Sequence, residues 1–540
     1  MNRREFLQLA ALSGAQALTA GPAMAETAVP ARAPRIPPGH FELEENSITD
    51  LQEAMRSGRE TAVSLAKKYL RRTEEMNQRG PALRALLETN PDALAIARGL
   101  DHERKAKGPR GPLHGIPVLI KDNIDTNDRM MTTAGSLALA GSIAPRDSFV
   151  AQRLREAGAV ILGKTNLSEW ANFRGDRSSS GWSGRGGQTH NPYALDRNPS
   201  GSSSGSAAAV AANLCAVAIG TETDGSIISP AAVCGVVAIK PTVGLISRGG
   251  IIPISKSQDT AGPMARTVTD AAILLGALTG VDARDDVTET SQGHSCLDYT
   301  QFLVPAGLQG ARLGVARRFF SSDALGNQLL EAGLVEMKQQ GATLVDFEDD
   351  IGKGGEREWV VLQYEFKAGI NAYLAALGPA APMHTLEDII AFNERHRDRE
   401  LICFGQETLV KAQTRGPLTE PAYLDALAQC RRLSRDEGID AVMNKHQLDA
   451  IVAPAGGPAA KTDSVYGDRY VGGSASPAAV AGYPNITVPA GFVRGLPVGI
   501  SFFGRAWSEP VLLKLAFAFE QATLARKPPT CPPTVDPEKP

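Results

Sequence analysis

Three short stretches of this chain carry residue types and spacings suited to nucleophilic chemistry on an acyl group. The first is "DRNPSGSSSGSAAAV", residues 196–210, with five serines within seven positions. A glycine/serine loop running into an alanine-rich helix leaves free backbone N–H groups at the helix N-terminus, where anions are stabilised. Gly201-Ser202-Ser203-Ser204-Gly205 also matches G-x-S-x-G, which would make Ser203 a nucleophile on a strand-to-helix turn. That turn needs a strand just before it and an acid and a histidine later. The preceding "THNPYALDRNPS" is polar and proline-containing, and neither His384 nor His446 follows an evident strand. The G-K-[ST] ending of a phosphate-binding loop is missing.

The second stretch is "CAVAIGTETDGSIISPAA", an apolar strand and then a tight polar turn ending at Ser226. Successive N–H groups of Thr223, Asp224, Gly225 and Ser226 can surround one point beside the Ser226 hydroxyl. An oxyanion hole requires that geometry and gains roughly 3–4 kcal/mol per good donor. Taken alone, a turn serine capping the next segment is the simpler account. The third is Lys121, which closes the apolar run Ile116–Ile120. A lysine at the end of a buried strand is desolvated, its pKa falls, and it can act as a base near neutral pH. The ordinary alternative is a surface lysine, or one paired with Asp122 or Asp125. Lys240 in "GVVAIKPT" has the same local look, so local context does not choose between the two lysines.

The chain that must position these groups has 540 residues, which implies one very large domain or two, since single cores stop growing near ~300 residues. Hydrophobic residues make up 43% and charged residues 21%, as in a soluble globular protein. A formal net charge of −3 argues against a nucleic-acid partner. The six cysteines have no C-x-x-C spacing and the eight histidines no H-E-x-x-H motif, so no metal or other cofactor is expected. Cys215 and Cys234 lie in small apolar runs and read as buried thiols.

The N-terminus, "MNRREFLQLAALSGAQALTAGPAMAETA", has a paired Arg3-Arg4, a weakly apolar run and Ala23-Met24-Ala25 before Glu26. These parts occur in the order of a twin-arginine export signal cleaved after Ala25, which predicts a periplasmic or secreted protein. Residues 26–40 are proline-rich and read as an extended leader. The membrane plays no part beyond export.

Helical spacing marks 48–76 and 148–158. Continuous apolar runs in "GIPVLIK", "AVILGKTN", "CAVAIG", "GVVAIK", "LDAIVAP", "PNITVPAG" and "LPVGISFFG" predict strands buried on both faces. A final helix begins after Ser508, read as its N-cap. Between about 355 and 440 the pattern turns helical and more charged. The expected fold class is therefore α/β, a large mixed β-sheet core flanked by helices, with a helical insertion at about 355–440.

Taken together, "GPLHGIPVLIKDNIDT", "AVILGKTNLSEWANF", the run from "GWSGRGGQTHNP" to "GVVAIKPT", and "GIIPISKSQDTAGPMARTVTDAA" resemble the amidase signature family almost continuously over residues 110–275. Within it, "GTETDGSI" and "PTVGLISRGGIIPIS" look most like bacterial peptide amidases, which release ammonia from C-terminally amidated peptides. The resemblance implies one amidase domain over 41–540 and a Ser-Ser-Lys triad in place of Ser-His-Asp. Lys121 falls on the family's base, Ser202 on its bridging serine, which follows a cis peptide bond, and Ser226 on its nucleophile. Residues 223–226 fall on its oxyanion hole, and Lys240 is left a structural role. The substrate expected is a small or peptide amide and the molecule a monomer. An amidase of other acyl or aryl amides, and a non-catalytic exported binding protein, are the alternatives. Ser200 and Ser204 stand where the family commonly has glycines, Asp224 departs from D-T-G-G-S, and Ile228 replaces a frequent arginine. By analogy, the insertion and the turns of 456–485 are expected to line the acyl pocket.

Overall fold

Apolar runs bracketed by glycine and proline become strands whose every residue is shielded. In the computed structural model, which describes residues 41–538 apart from 322, 353, 354, 470, 471 and 537, the thirteen strands in chain order are these. β1 is Leu86–Thr89, β2 Pro117–Lys121, β3 Val160–Thr165, β4 Trp182–Ser183, β5 Gly187–Gln188, β6 Val217–Glu222 and β7 Val237–Lys240. β8 is Thr260–Ala265, β9 Arg312–Ala316, β10 Thr343–Phe347, β11 Ala450–Gly456, β12 Asn485–Val493 and β13 Leu496–Phe503. The export signal and leader expected over residues 1–40 lie outside the described residues.

Eleven of these strands form one mixed sheet in the order β1-β3-β2-β6-β8-β7-β12-β13-β11-β9-β10, and β4 and β5 make a separate hairpin. All seven strands anticipated from apolar runs are present. β2, β3, β6, β7, β11 and β13 are buried along their whole length, as strands covered on both faces must be. β9 and β10 form a parallel outer pair without so clean an apolar signal: β10 reads T-L-V-D-F and is half open to solvent. The helical stretch at 48–76 is two helices, Ile48–Arg56 and Ala62–Asn77, each started by its own capping box at Ser47 and Thr61. Ser508 precedes the last helix as expected, but its hydroxyl donates to the Arg505 carbonyl rather than capping the helix. The insertion opens with the long helix Gly355–Ala376 and continues through short helices to His446. Its apolar side packs Phe366, Ile370 and Leu374 against Trp170, Phe173 and Ile252.

Three parallel neighbours, β3, β2 and β6, set the geometry that matters most. The register pairs Lys121 with Thr165 and Ile120 with Ile219, so the three carboxyl ends finish at one edge of the sheet. Open α/β sheets place ligands at such an edge. The fully buried helix Ser204–Ala211 packs against all three strands. Its Gly205 N–H donates to the Asn166 carbonyl at 3.0 Å, and Ser206 Oγ donates to the Ile219 carbonyl at 2.9 Å.

A Cβ on Gly205 would come within 2.2 Å of the Ala85 carbonyl oxygen and 2.5 Å of the Asn166 oxygen, both backbone atoms that cannot step aside. The glycine is there for close approach, not flexibility. Gly205→Ala is expected to cost about 1–3 kcal/mol or more, read as a lower thermal unfolding midpoint. An unchanged midpoint would show that the helix can back away from β3.

Candidate active site

Lys121 ends β2 and is completely buried, as are Ser202 and Ser203. Its Nζ lies 2.7 Å from Ser202 Oγ, 3.1 Å from Ser203 Oγ, 2.9 Å from Thr221 Oγ1 and 3.2 Å from the Thr221 carbonyl oxygen. No carboxylate touches it. The partners considered for it are taken: Asp122 accepts from Thr133 Oγ1 and the Gly135 N–H, and Asp125 accepts from Tyr373 Oη at 2.8 Å. Burial therefore drives its pKa from 10.5 down to about 7, with the charges of Asp259 and Glu222 pulling weakly the other way.

Hydrogen-bond accounting separates the serines of the loop. Ser203 Oγ donates to the Thr221 carbonyl at 3.0 Å and accepts from the Thr221 N–H at 3.2 Å. Its proton is committed, so toward Lys121 it can only accept. Thr221 Oγ1 already accepts from Asn123 Nδ2 at 3.0 Å. A neutral lysine has two N–H donors and one lone pair. Ser202 and Thr221 each keep a hydroxyl proton that can face that lone pair, and Ser202 is the nearer, at 2.7 Å against 2.9 Å. Ser204 donates to the Ser200 carbonyl. Ser203, Ser204 and Ser206 thus spend their protons on backbone carbonyls, whereas Ser202 Oγ has Lys121 Nζ as its partner. The peptide bond between Gly201 and Ser202 is cis, the form the resemblance implies.

The turn after β6 brings Ser226 to the same place. The Ser203 N–H donates to the Ser226 carbonyl at 3.1 Å. Gly225 sits at φ 76°, where L side chains are strained, which lets the chain reverse between Asp224 and Ser226. Glu222 accepts from the N–H groups of Ile227 (2.7 Å) and Ile228 (3.0 Å), closing the turn from behind. Thr223 Oγ1 donates to Asp259, and Gln258 Nε2 donates to the Thr223 carbonyl at 3.3 Å. Among the described residues, the N–H groups of Thr223, Asp224, Gly225 and Ser226 donate to nothing, and Ser226 Oγ has no hydrogen-bond partner. Lys121 and Ser202 are in direct contact, therefore, while Ser226 is held beside the serine loop through its backbone.

Lys240 is equally buried, at the end of β7, and its pKa falls to about 8. Its Nζ donates to the Ala478 carbonyl at 3.4 Å and its charge faces Glu222, Glu509 and Asp224; it touches no serine hydroxyl. His446 lies 3.6 Å from Asp349, and the His384 N–H donates to Asp388; neither bonds Ser203, which removes the conventional serine-hydrolase arrangement.

A cleft of about 360 Å³ opens at this edge, with Asn123 and residues Thr221–Thr223 in its wall. Its apolar side comes from Ile251, Ile252 and Ile254, and from Tyr373 and Leu377 of the insertion. Among the described residues of 456–485 none lines this cleft, but neither do Lys121, Ser202 and Ser226, and Ala475 lies beside the nucleophile turn, 3.5 Å from where a Cβ on Gly225 would sit. Asp468 accepts from the Ser180 N–H and from Asn198 Nδ2, which ties that stretch to the segment leading into the serine loop. Thr221, Gln258 and Asp259 are the site residues that sequence reasoning missed. Thr221 lies in the block read for its nucleophile turn, and Gln258 and Asp259 in "SKSQDT", but none of the three is itself given a role there.

The match to the Amidase family model runs over residues 64–513. A "probable amidase" of Arabidopsis thaliana is 45% identical over 500 residues, covering 91% of this chain and 92% of the relative. The native peptide amidase from Stenotrophomonas maltophilia superposes with a TM-score of 0.87 at 52% identity, covering 91% of this chain and 99% of that one. The peptide amidase PAM, solved with the competitive inhibitor chymostatin, gives a TM-score of 0.88 at 53% identity over 91% of this chain and all of that one. With its eleven-stranded mixed sheet and its serine-lined strand edge, this chain belongs to the amidase signature family and is an amide hydrolase.

Proposed function

We propose that the protein hydrolyses C-terminal carboxamides of peptides to the free acid and ammonia, using Lys121, Ser202 and Ser226. The observation that carries this reading is a fully buried lysine with no carboxylate in contact, 2.7 Å from a serine hydroxyl and next to a turn whose N–H groups are unused among the described residues. The likeness to two peptide amidase structures at more than half identity points to the peptide amide as substrate.

The steps follow from the groups present. Neutral Lys121 accepts the Ser202 proton as Ser202 accepts the proton of Ser226. The freed Ser226 Oγ adds to the amide carbonyl, and the N–H groups of residues 223–226 receive the oxyanion. The proton returns through Ser202 to the departing nitrogen, the C–N bond breaks, and ammonia leaves. Water, deprotonated by the same relay, then hydrolyses the acyl-enzyme and regenerates Ser226. We further propose that this chemistry takes place outside the cytosol. The Arg3-Arg4 leader supports that, and the mature chain should begin at Glu26 on intact-mass measurement of exported protein. Export also speaks against service as an amidotransferase subunit.

A screen of ammonia release should show turnover of peptide amides well above that of aryl or short aliphatic amides; the reverse ranking would overturn the substrate assignment. Ser226→Ala and Ser202→Ala should each lower kcat by on the order of 10³-fold or more with the fold intact. Full activity in Ser226→Ala would refute the nucleophile. Because the working form of Lys121 is neutral, kcat should fall about tenfold per pH unit below about 7.

Lys121→Met tests the price of that base. The folded pKa of about 7 lies below the ordinary lysine value of 10.5, so between those values the unfolded chain binds the extra proton. The destabilisation is complete below about pH 7 and fades as pH rises to 10.5. Thr221 keeps a donor at each oxygen, from Ser203 and Asn123, without the lysine. Lys121→Met is therefore expected to abolish turnover and raise the unfolding temperature at pH 7; a lower temperature would contradict this reading.

A further inference from the structure

One carboxylate holds both the nucleophile turn and the apolar wall of the cleft. β6 and β8 run antiparallel with Glu222 opposite Thr260. The next residues outward at that end, Thr223 and Asp259, therefore face each other across the strand pair. Thr223 Oγ1 donates to Asp259 Oδ1 at 2.5 Å. Asp259 Oδ2 accepts from the N–H groups of Ile254 and Ser255, each at 2.8 Å. Ile252, Pro253 and Ile254 wall the cleft, and the Ile252 N–H donates to the Asn123 carbonyl at 2.8 Å, two residues past Lys121. The wall is thus fastened at both ends, to the segment that follows the base and to the turn that carries Ser226. Gln258 adds a second hold on the turn: its Nε2 donates to the Thr223 carbonyl at 3.3 Å and to Glu358 Oε1 of the insertion helix at 2.9 Å. In a trans peptide the C=O and N–H point opposite ways, so a Thr223 carbonyl held by Gln258 aims the Asp224 N–H away from the loop 255–259.

We propose that Asp259 is a positioning residue that keeps the cleft wall and the oxyanion turn in register, so that an acyl chain lying on Ile252–Ile254 presents its carbonyl to the N–H groups of residues 223–226. This rests on the reading of Ser226 and residues 223–226 given above. Ammonia needs almost no room as a leaving group, so nearly all of the substrate lies on its acyl side. The cleft with Thr221 and Thr223 in its wall adjoins the turn and has the space for it. Laying the chain on the wall and aiming the oxyanion donors are separate requirements. A carboxylate with one oxygen on each joins them. A misplacement of about 1 Å between a bound group and the reacting groups costs roughly a hundredfold in rate, so a loose joint would be felt in kcat. An aspartate that only capped its own loop would leave the turn, and the rate, indifferent to the Thr223 hydroxyl.

Thr223→Val tests the tie alone, because it removes the hydroxyl, keeps the Thr223 N–H and leaves Asp259 capping its loop. It should lower kcat about tenfold or more with KM within about twofold. A peptide aldehyde, to which Ser226 Oγ adds reversibly to give a tetrahedral adduct, should lose affinity by the same factor as kcat. The matching peptide alcohol forms no adduct and should bind as it does to wild type. Asp259→Ala should show the same split. The double variant should lose little more than Asp259→Ala alone, since both changes cut one tie. Rates are taken on any amide the wild type turns over, and the aldehyde carries the same acyl group, so failure of the peptide-amide assignment leaves the experiment intact. A wild-type kcat in Thr223→Val overturns the proposal. So does a loss of kcat without the matching loss of aldehyde affinity, or losses that multiply in the double variant. Wild-type turnover in Ser226→Ala would instead refute the nucleophile, and this inference with it. If Thr223→Val does not fold by its melting curve, Asp259→Ala decides alone. If neither folds, the tie is a requirement of the fold and the positioning role is wrong.

Discussion

Everything at this site depends on removing one amine from water without giving it a counter-ion. An ammonium group buried opposite a carboxylate would stay charged and be useless as a base. Lys121 is instead buried against hydroxyls and a carbonyl with no carboxylate in contact, so burial disfavours the ammonium without an adjacent counter-ion to restore it. The nearby acids are occupied elsewhere: Asp122 with Thr133, Asp125 with Tyr373, Glu222 with two backbone N–H groups and Asp259 with Thr223. The fold works as much by keeping those carboxylates away from Lys121 as by bringing Ser202 toward it.

That arrangement explains the unusual serine density of the central loop. Burying a loop at the end of three parallel strands leaves many backbone carbonyls without ladder partners, and buried polar groups must be satisfied. Ser203, Ser204 and Ser206 donate to the carbonyls of Thr221, Ser200 and Ile219. A hydroxyl is small enough to fit where Gly205 and the alanines bring the helix close, and it supplies the donor. Once those three are spent on structure, Ser202 is chemically distinct from neighbours with the same side chain.

The helical insertion has a second task beyond covering the sheet edge. Through Tyr373 and Leu377 it walls the cleft, and through Glu358 and Glu365 it reaches the loop 255–259 that braces the nucleophile turn. An insertion tied to the catalytic turn by buried acids can tune the chemistry of the site as well as its substrate range.

Much of this was legible in the chain itself. Continuous apolar runs identify strands buried on both faces whatever their neighbours, because only a two-sided environment tolerates "VILG" and "VAIK" without alternation. Gly225 before Ser226 and the block order of residues 110–275 picked out the turn and the three candidate residues. Tertiary structure alone could decide between groups that look alike locally. Lys121 and Lys240 both close buried strands, but the register of β2 beside β6 sets one against Thr221 and the serine loop, while β7 carries the other behind Glu222. Ser203 fits a hydrolase motif better than Ser202 does, until the Thr221 carbonyl 18 positions away takes its proton. The hydrogen bond from Gln258 to Glu358, a hundred residues apart in sequence, leaves no local trace. Propensity and patterning act over a few residues, whereas desolvation and hydrogen-bond commitment are set by whatever the fold brings alongside.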